Sequence, residues 1–154
     1  MNRATNALDS LEDDVVERTL VLVKPSGVAR CLVGEVISRI ERRGLTIRIA
    51  RTLLVTREMA ERHYAEHKGK DFYNDLVDHI TSAPIWAMVV EGPSAVATVR
   101  RMMGATNPLN ADPGTVRGDF GLDVQRNVVH SADSPASAER EIAIFFPDGG
   151  EPAV

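Results

Sequence analysis

Cysteine is almost absent from this sequence: Cys31 stands alone among 154 residues. One thiol cannot close a disulfide within the chain, so nothing points to an oxidising compartment. No matched acid–base partner is evident around it, and Cys31 reads as a small buried apolar residue. Long hydrophobic runs are missing as well, and no stretch is long enough to span a membrane. The first 17 residues carry Asp9, Glu12, Asp13, Asp14 and Glu17 and lack the apolar segment of an export signal. The expectation is a cytoplasmic protein with no membrane partner. Positive charge is not in excess: 18 Lys and Arg face 22 Asp and Glu, a formal net charge of -4. Such a bulk field does not favour nucleic-acid binding, and an anion would have to be met by a local basic pocket. There is also no G-x-x-x-x-G-K-[ST] loop, which removes the backbone cradle as a way to hold phosphate.

What is present is a chain with 44% hydrophobic residues, enough for one domain with a real core and too short for two. Residues 18–24 form a β-branched run that Pro25-Ser26-Gly27 ends, a strand entering a turn. Residues 31–43 place Leu32, Val33, Val36, Ile37 and Ile40 at helical spacing, with Gly44 as the C-terminal cap. A second strand is expected over 45–55, helices over 57–67 and 70–80, and a third strand over 85–90. A helix follows over 93–103, opened by Pro93 and closed by Gly104. Residues 104–121 are a long polar loop, and a loop of that length in a compact domain is usually functional or disordered. Residues 122–129 form the last strand, and Ser134-Pro135 starts a helix over 135–145. Strands alternating with helices point to an α/β (α+β) fold. The most economical version is a ferredoxin-like βαββαβ sandwich, a four-stranded antiparallel sheet covered by helices. The expected organisation is an acidic, flexible N-terminal extension over 1–16, one domain over 17–146 and a flexible tail over 147–154.

Four histidines are available for chemistry. His63 and His67 match the H-x-x-E-H pattern of some zinc peptidases. A zinc site needs a third ligand, and no second motif nominates one. Exposed helical histidines are therefore the preferred reading, and His79 reads as a cation at a helix C-terminus. His130 differs, because it follows a strand and precedes a capped helix, whose free N–H groups welcome phosphate. A neutral imidazole can attack phosphorus, and Glu141 on the next helix can orient it through the far ring nitrogen. From that segment alone, a phosphate carrier and a structural histidine bonded to backbone stand equal. Lys24, Arg100 and Arg117 each read as surface charges when taken singly. Together, on strand ends and one loop, they suit a triphosphate, with side-chain clamps in place of a P-loop.

The motifs now on view resemble the nucleoside diphosphate kinase family from about Glu17 to about Phe146. They are Val23-Lys24-Pro25-Ser26-Gly27-Val28, His63-Tyr64, Ser82-Ala83-Pro84, Gly104-Ala105-Thr106-Asn107-Pro108, the run Pro113 to Phe120, and Asn127-Val128-Val129-His130-Ser131-Ala132-Asp133-Ser134. The resemblance implies a ping-pong transfer of the terminal phosphate of a nucleoside triphosphate to a nucleoside diphosphate. It implies Mg2+, held mainly by the nucleotide phosphates, and a homo-oligomer, tetramer or hexamer. It further implies that His130 carries the phosphate, that Glu141 orients it, and that Lys24 and Tyr64 complete the catalytic set. Lys24, Arg100, Thr106, Arg117 and Asn127 would bind phosphates and ribose, and Phe72 would stack on the base. The alternatives are a nucleotide-binding regulatory protein with weak turnover, or a specialised nucleotide-processing enzyme of a secondary pathway. This chain departs from the family's usual residues at Ser26, Lys70, Ala105, Ser131 and Ala132; where the family reads H-G-S-D it has His130-Ser131-Ala132-Asp133.

Overall fold

The computed structural model describes residues 16–152, so nearly all of the expected acidic extension lies outside the described residues. Four strands, β1 (Val16–Val23), β2 (Thr46–Leu53), β3 (Ile85–Pro93) and β4 (Val129–Ser131), form one sheet in the order β2-β3-β1-β4. All three pairings are antiparallel. The helices are α1 (Pro25–Ala29), α2 (Val33–Arg42), α3 (Arg57–His63), α4 (Tyr73–Thr81), α5 (Ala95–Met103), α6 (Val116–Phe120) and α7 (Pro135–Phe145). This is the four-stranded α+β sandwich that the pattern predicts.

The unbroken apolar run of β1 follows from cover on both faces of the sheet. Leu20 and Leu22 point to one side and pack with Ala60, Val77, Ile80, Ile142 and Phe145 of α3, α4 and α7. Val21 and Val23 point to the other and pack with Val36, Ile40, Val99, Met103 and Val116 of α2, α5 and α6. Alternation with period two thus sends successive residues into two separate apolar layers.

Element ends follow local chemistry. Thr56 caps α3 by accepting from the Met59 N–H at 3.2 Å, and Ser134 caps α7 through the Ser137 N–H at 3.1 Å. Pro93 ends β3 instead of opening a helix. Helix α5 starts beyond Ser94, and the Glu17 carboxylate accepts from the Val96 N–H at 3.1 Å. Gly44 takes φ +92 just past α2, a left-handed conformation that glycine adopts without cost.

Two further expectations change. The loop 104–121 contains a 3-10 turn at Pro108–Asn110 and the short helix α6, whose N-cap Thr115 accepts from the Gly118 N–H at 3.0 Å. The last strand is only Val129–Ser131. Residues 122–128 turn instead, because the Asp123 side chain accepts from the Gln125 and Arg126 N–H groups at 3.0 and 2.8 Å. Past α7 the chain returns to β1, where Arg18 donates to the Gly149 carbonyl at 2.7 Å and pairs with Glu139 and Glu151. A methyl group on Gly150 would meet Val89 at 2.9 Å.

Ile40 is fully buried where α2 meets the sheet. Ile40→Ala removes three carbons from a close-packed layer and should cost about 2–5 kcal/mol. The urea midpoint, followed by circular dichroism, reads this as a lower midpoint with an unchanged slope; an unshifted midpoint contradicts it.

Candidate functional site

His130 sits at the centre of β4, opposite Leu22 of β1. Its neighbour Val129 is buried in the α2/α5 layer, so alternation turns the His130 ring to the other side, toward α3 and α7. There its Nε2 lies 3.1 Å from Oε1 of Glu141. The His130 side chain is 22% exposed and that of Glu141 is 6% exposed, so the carboxylate is enclosed while the ring opens on a cavity. With Nε2 engaged as donor to the carboxylate, Nδ1 keeps its lone pair.

The cavity measures about 400 Å3, and its walls include Lys24, Tyr64, Phe72, Arg100, Thr106, Arg117, Asn127, His130 and Glu141. Those are the nine residues that sequence reasoning selects, and the fold brings all of them to one place. A second cavity of about 700 Å3 shares Lys24, Tyr64 and Phe72 and continues the cleft along α4.

The cations are anchored by neutral groups. Lys24 Nζ donates to Asn127 Oδ1 at 2.7 Å, and Asn127 Nδ2 donates to the Thr106 carbonyl at 3.0 Å. Arg117 donates to the Gly104 and Val129 carbonyls at 2.9 and 2.8 Å, and Arg100 reaches the Ser131 carbonyl at 3.5 Å. Carbonyl acceptors fix a cation without cancelling its charge. Burial, then the Arg117 charge, pushes Lys24 down to about 8, and burial, then Arg100, pushes Arg117 down to about 10. Burial also pushes His130 down to about 3, with Lys24, Arg117 and Arg100 adding to the effect. The imidazole is therefore neutral and nucleophilic at neutral pH. Burial raises the Tyr64 phenol, which stays protonated, and also raises the Glu141 carboxyl. Phe72 is 46% exposed at the rim just before α4, with Lys70 Nζ over its ring at 5.7 Å and the His67 ring 5.5 Å away.

Several single-residue readings are corrected. Cys31 is exposed, not buried, because it lies in the link between α1 and α2, where φ is +58. His63 is buried, at 3% exposure. It does not share a helical face with His67, because α3 ends at His63 and the chain tightens into a 3-10 turn over Ala65–His67. The zinc-peptidase pattern therefore has no helix to work on. His79 is not a helix-end cation: burial, then Lys24, lowers its pKa. Sequence reasoning passed over His63, whose ring meets that of His130 edge-on at 4.6 Å. The signal was available in part. Ala60, His63 and Tyr64 stand at helical spacing, and their neighbours on that face are apolar.

A family model described as nucleoside diphosphate kinase matches residues 17–150. The chain is 64% identical over 133 residues to the nucleoside diphosphate kinase of Archaeoglobus fulgidus, covering 86% of this chain and 88% of that protein. It is 56% identical over 131 residues to that of Listeria monocytogenes, covering 85% and 89%. Among solved structures it is similar to the halophilic nucleoside diphosphate kinase of Halobacterium salinarum in complex with CDP. There the TM-score is 0.86 at 45% identity, over 90% of this chain and 92% of that one. A Babesia bovis nucleoside diphosphate kinase family protein gives a TM-score of 0.85 at 40% identity, over 90% and 94%.

The imidazoles of His63 and His130 set an acid sensitivity. Burial pushes His63, like His130, down to about 3, from an ordinary value of 6.5. Below 6.5 the unfolded chain binds these protons and the folded chain does not, so stability falls as pH drops from about 6.5 toward 3. Glu141, raised by burial, acts in the opposite sense, but it is one group against two. Denaturation midpoints from pH 7 to 4 should fall, and His63→Phe should reduce the slope. An equal slope in both proteins refutes the assignment.

Proposed function

Since the chain belongs to the nucleoside diphosphate kinase family, we propose that it moves the terminal phosphate of a nucleoside triphosphate to a nucleoside diphosphate through a phosphohistidine on His130. The observation that carries this reading is the His130–Glu141 pair: Nε2 is occupied at 3.1 Å, which leaves Nδ1 as the nucleophile in a cavity flanked by Lys24, Arg100 and Arg117.

In the first half-reaction Nδ1 of His130 attacks the terminal phosphorus. The bond from that phosphorus to the bridging oxygen breaks, and the nucleoside diphosphate leaves with the electron pair. As the ring gains positive charge, Glu141 stabilises it through the Nε2 proton. In the second half-reaction a terminal oxygen of another nucleoside diphosphate attacks the phosphohistidine and returns Nδ1 to its free state. Lys24, Arg100 and Arg117 hold the phosphate oxygens, the arginines by forked contacts and the lysine as a point charge. Thr106 and Asn127 add contacts to ribose and phosphate, and the Tyr64 hydroxyl completes the wall. Phe72 stacks on the base, and stacking on a π-face tolerates any base.

Mg2+ fits this site as part of the substrate. Asp133 is drawn to Ser134 and Ser137, and Glu141 is buried against His130, so these carboxylates make no open oxygen set for a hard cation. The cavity's surplus of cations suits phosphates that arrive with Mg2+ on them. Tetramers or hexamers in the cytoplasm complete the reading; among the described residues no helix is long and apolar enough to cross a membrane. The regulatory alternative is not favoured, because the carrier, its orienting carboxylate and the three cations all meet at one cavity.

Incubation with labelled ATP should give an acid-labile, base-stable phosphoprotein whose label mass spectrometry places on His130. Label persisting in His130→Gln would mean that another residue carries the phosphate.

Ala132 marks where this chain departs from its family most closely to the chemistry. It is fully buried just past the end of β4 and packs with Ala138 of α7. Oε2 of Glu141 is buried and has no partner among the described residues. Ser131 points to the opposite side, level with Val21, and does not replace the missing hydroxyl. A serine at 132 should supply a donor to the carboxylate. A hydrogen bond to a charged group contributes about 1.5–3 kcal/mol. Used mainly in the transition state, it should make Ala132→Ser faster by about tenfold or more, with nucleotide affinity unchanged. Equal turnover in a coupled transfer assay would show the departure to be neutral.

A further inference from the structure

His63 presents an unresolved cost. Its side chain is 1% exposed, and neither ring nitrogen has a hydrogen-bond partner among the described residues. A neutral imidazole brings one N–H and one lone pair, and burying both unsatisfied is expensive. Beside it, Oε2 of Glu141 is unpartnered too. One arrangement answers these groups together. His63 Nδ1 lies 3.7 Å from Glu141 Oε1, His130 Nε2 lies 3.1 Å from the same oxygen, and one ligand atom from each residue falls within 4.8 Å of the others. Tetrahedral ligands at about 2.0–2.2 Å from an ion stand roughly 3.3 Å apart. Two of the three separations already bracket that figure, and the third lies within 4.8 Å.

We propose that His63, His130 and Glu141 form a binding site for a borderline divalent transition metal of the Zn2+ or Co2+ type, and that occupation of this site switches off phosphate transfer. Two imidazoles and one carboxylate suit such ions and not Mg2+, which prefers oxygen ligands throughout. His130 and Glu141 both line the cavity described above, which is the route of entry. Lys24, Arg100, Arg117 and Arg140 surround the cluster and oppose a dication as they oppose a proton, so the affinity is moderate.

The switch is a tautomer. During transfer, His130 keeps its proton on Nε2, toward Glu141, and its lone pair on Nδ1. A metal on Nε2 needs the lone pair there, so the ring proton moves to Nδ1. The ring stays neutral, Glu141 exchanges a hydrogen bond for a metal bond, and Nδ1, now an N–H, can no longer attack phosphorus. Binding itself stands on the geometry; its effect on turnover rests on His130 being the phosphate carrier.

Titration of the full chain with Co2+, in buffer free of nucleotide and phosphate, separates the two claims. The expected result is one Co2+ per chain with the visible absorption of a tetrahedral ion, displaced by Zn2+. His63→Phe keeps an aromatic ring beside Phe145 and should lose the band, as should Glu141→Gln; His67→Ala should retain it. Thermal melts establish that each variant is folded, and if His63→Phe is not, Glu141→Gln and Zn2+-induced shifts of the His63 and His130 ring signals in NMR decide. No band with Co2+ in large excess, or a full band in folded His63→Phe or Glu141→Gln, overturns the site. Stoichiometric binding without loss of phosphoenzyme formation overturns the switch alone. Absence of phosphoenzyme in the metal-free protein instead overturns the phosphohistidine reading of the function, while the Co2+ titration decides the binding site on its own.

Discussion

The 3.1 Å contact between Glu141 Oε1 and His130 Nε2 is the constraint on which the functional half of this molecule depends. It joins the sheet to the last helix. His130 is placed by a strand of three residues, which exists only because β1 offers it Val21, Leu22 and Val23 as partners. Glu141 is placed by α7, which Ser134 caps and which Ile142 and Phe145 seat in the core. A shift in either element breaks the contact, frees the ring and loses the tautomer that keeps Nδ1 nucleophilic. The carboxylate is buried at a cost, visible in its raised pKa. That cost is tolerated because the sheet buries apolar residues on both faces, and the surplus of packing carries a strained polar centre.

The cations obey a complementary rule. Lys24, Arg100 and Arg117 are fixed by an amide oxygen and by backbone carbonyls, with no carboxylate in their immediate hydrogen-bond set among the described residues. Elsewhere some arginines pair with carboxylates: Arg39 with Glu35 and Asp119, and Arg57 with Glu61 and Asp78. Arg30 and Arg51 also donate to backbone carbonyls, so what distinguishes the site is three such cations at one cavity. A paired arginine has little left for a ligand, whereas one held by carbonyls keeps its field and its geometry. The same field explains why His130 resists protonation beyond what burial alone requires.

Much of this was legible in the sequence. The period-two and helical patterns placed the sheet and the long helices, and Ser134-Pro135 marked the start of α7 where it occurs. Of the nine candidate residues, His130, Glu141, Lys24, Arg100 and Arg117 stood out by residue type and place, while Tyr64, Phe72, Thr106 and Asn127 came with the family resemblance; the fold brings all nine to one cavity. What escaped depended on contacts distant in the chain. Nothing local in residues 122–128 says that Asp123 will bend them out of the sheet, since the apolar residues alone fit a strand. Nothing local makes Glu17 the cap of α5, 79 residues away. His63 looked like a surface residue because a histidine on an amphipathic helix usually is one; only the packing of α3 against α7 buries it.

His63 also shows how a polar residue can be retained in a core without a hydrogen bond to justify it. Its ring lies edge-on to His130 at 4.6 Å and to Phe145 at 5.2 Å, and tilted to Tyr64 at 4.6 Å. These contacts restrict rotation of the His130 ring about its last torsion, which is soft and roughly two-fold in an imidazole. A leucine or valine would fill the space but present no flat edge to hold the ring. Phenylalanine would hold it and remove the desolvation cost of two nitrogens. Packing alone therefore favours phenylalanine over histidine at this position. That a histidine stands there, with a nitrogen 3.7 Å from the carboxylate that orients His130, requires a reason that uses the nitrogen.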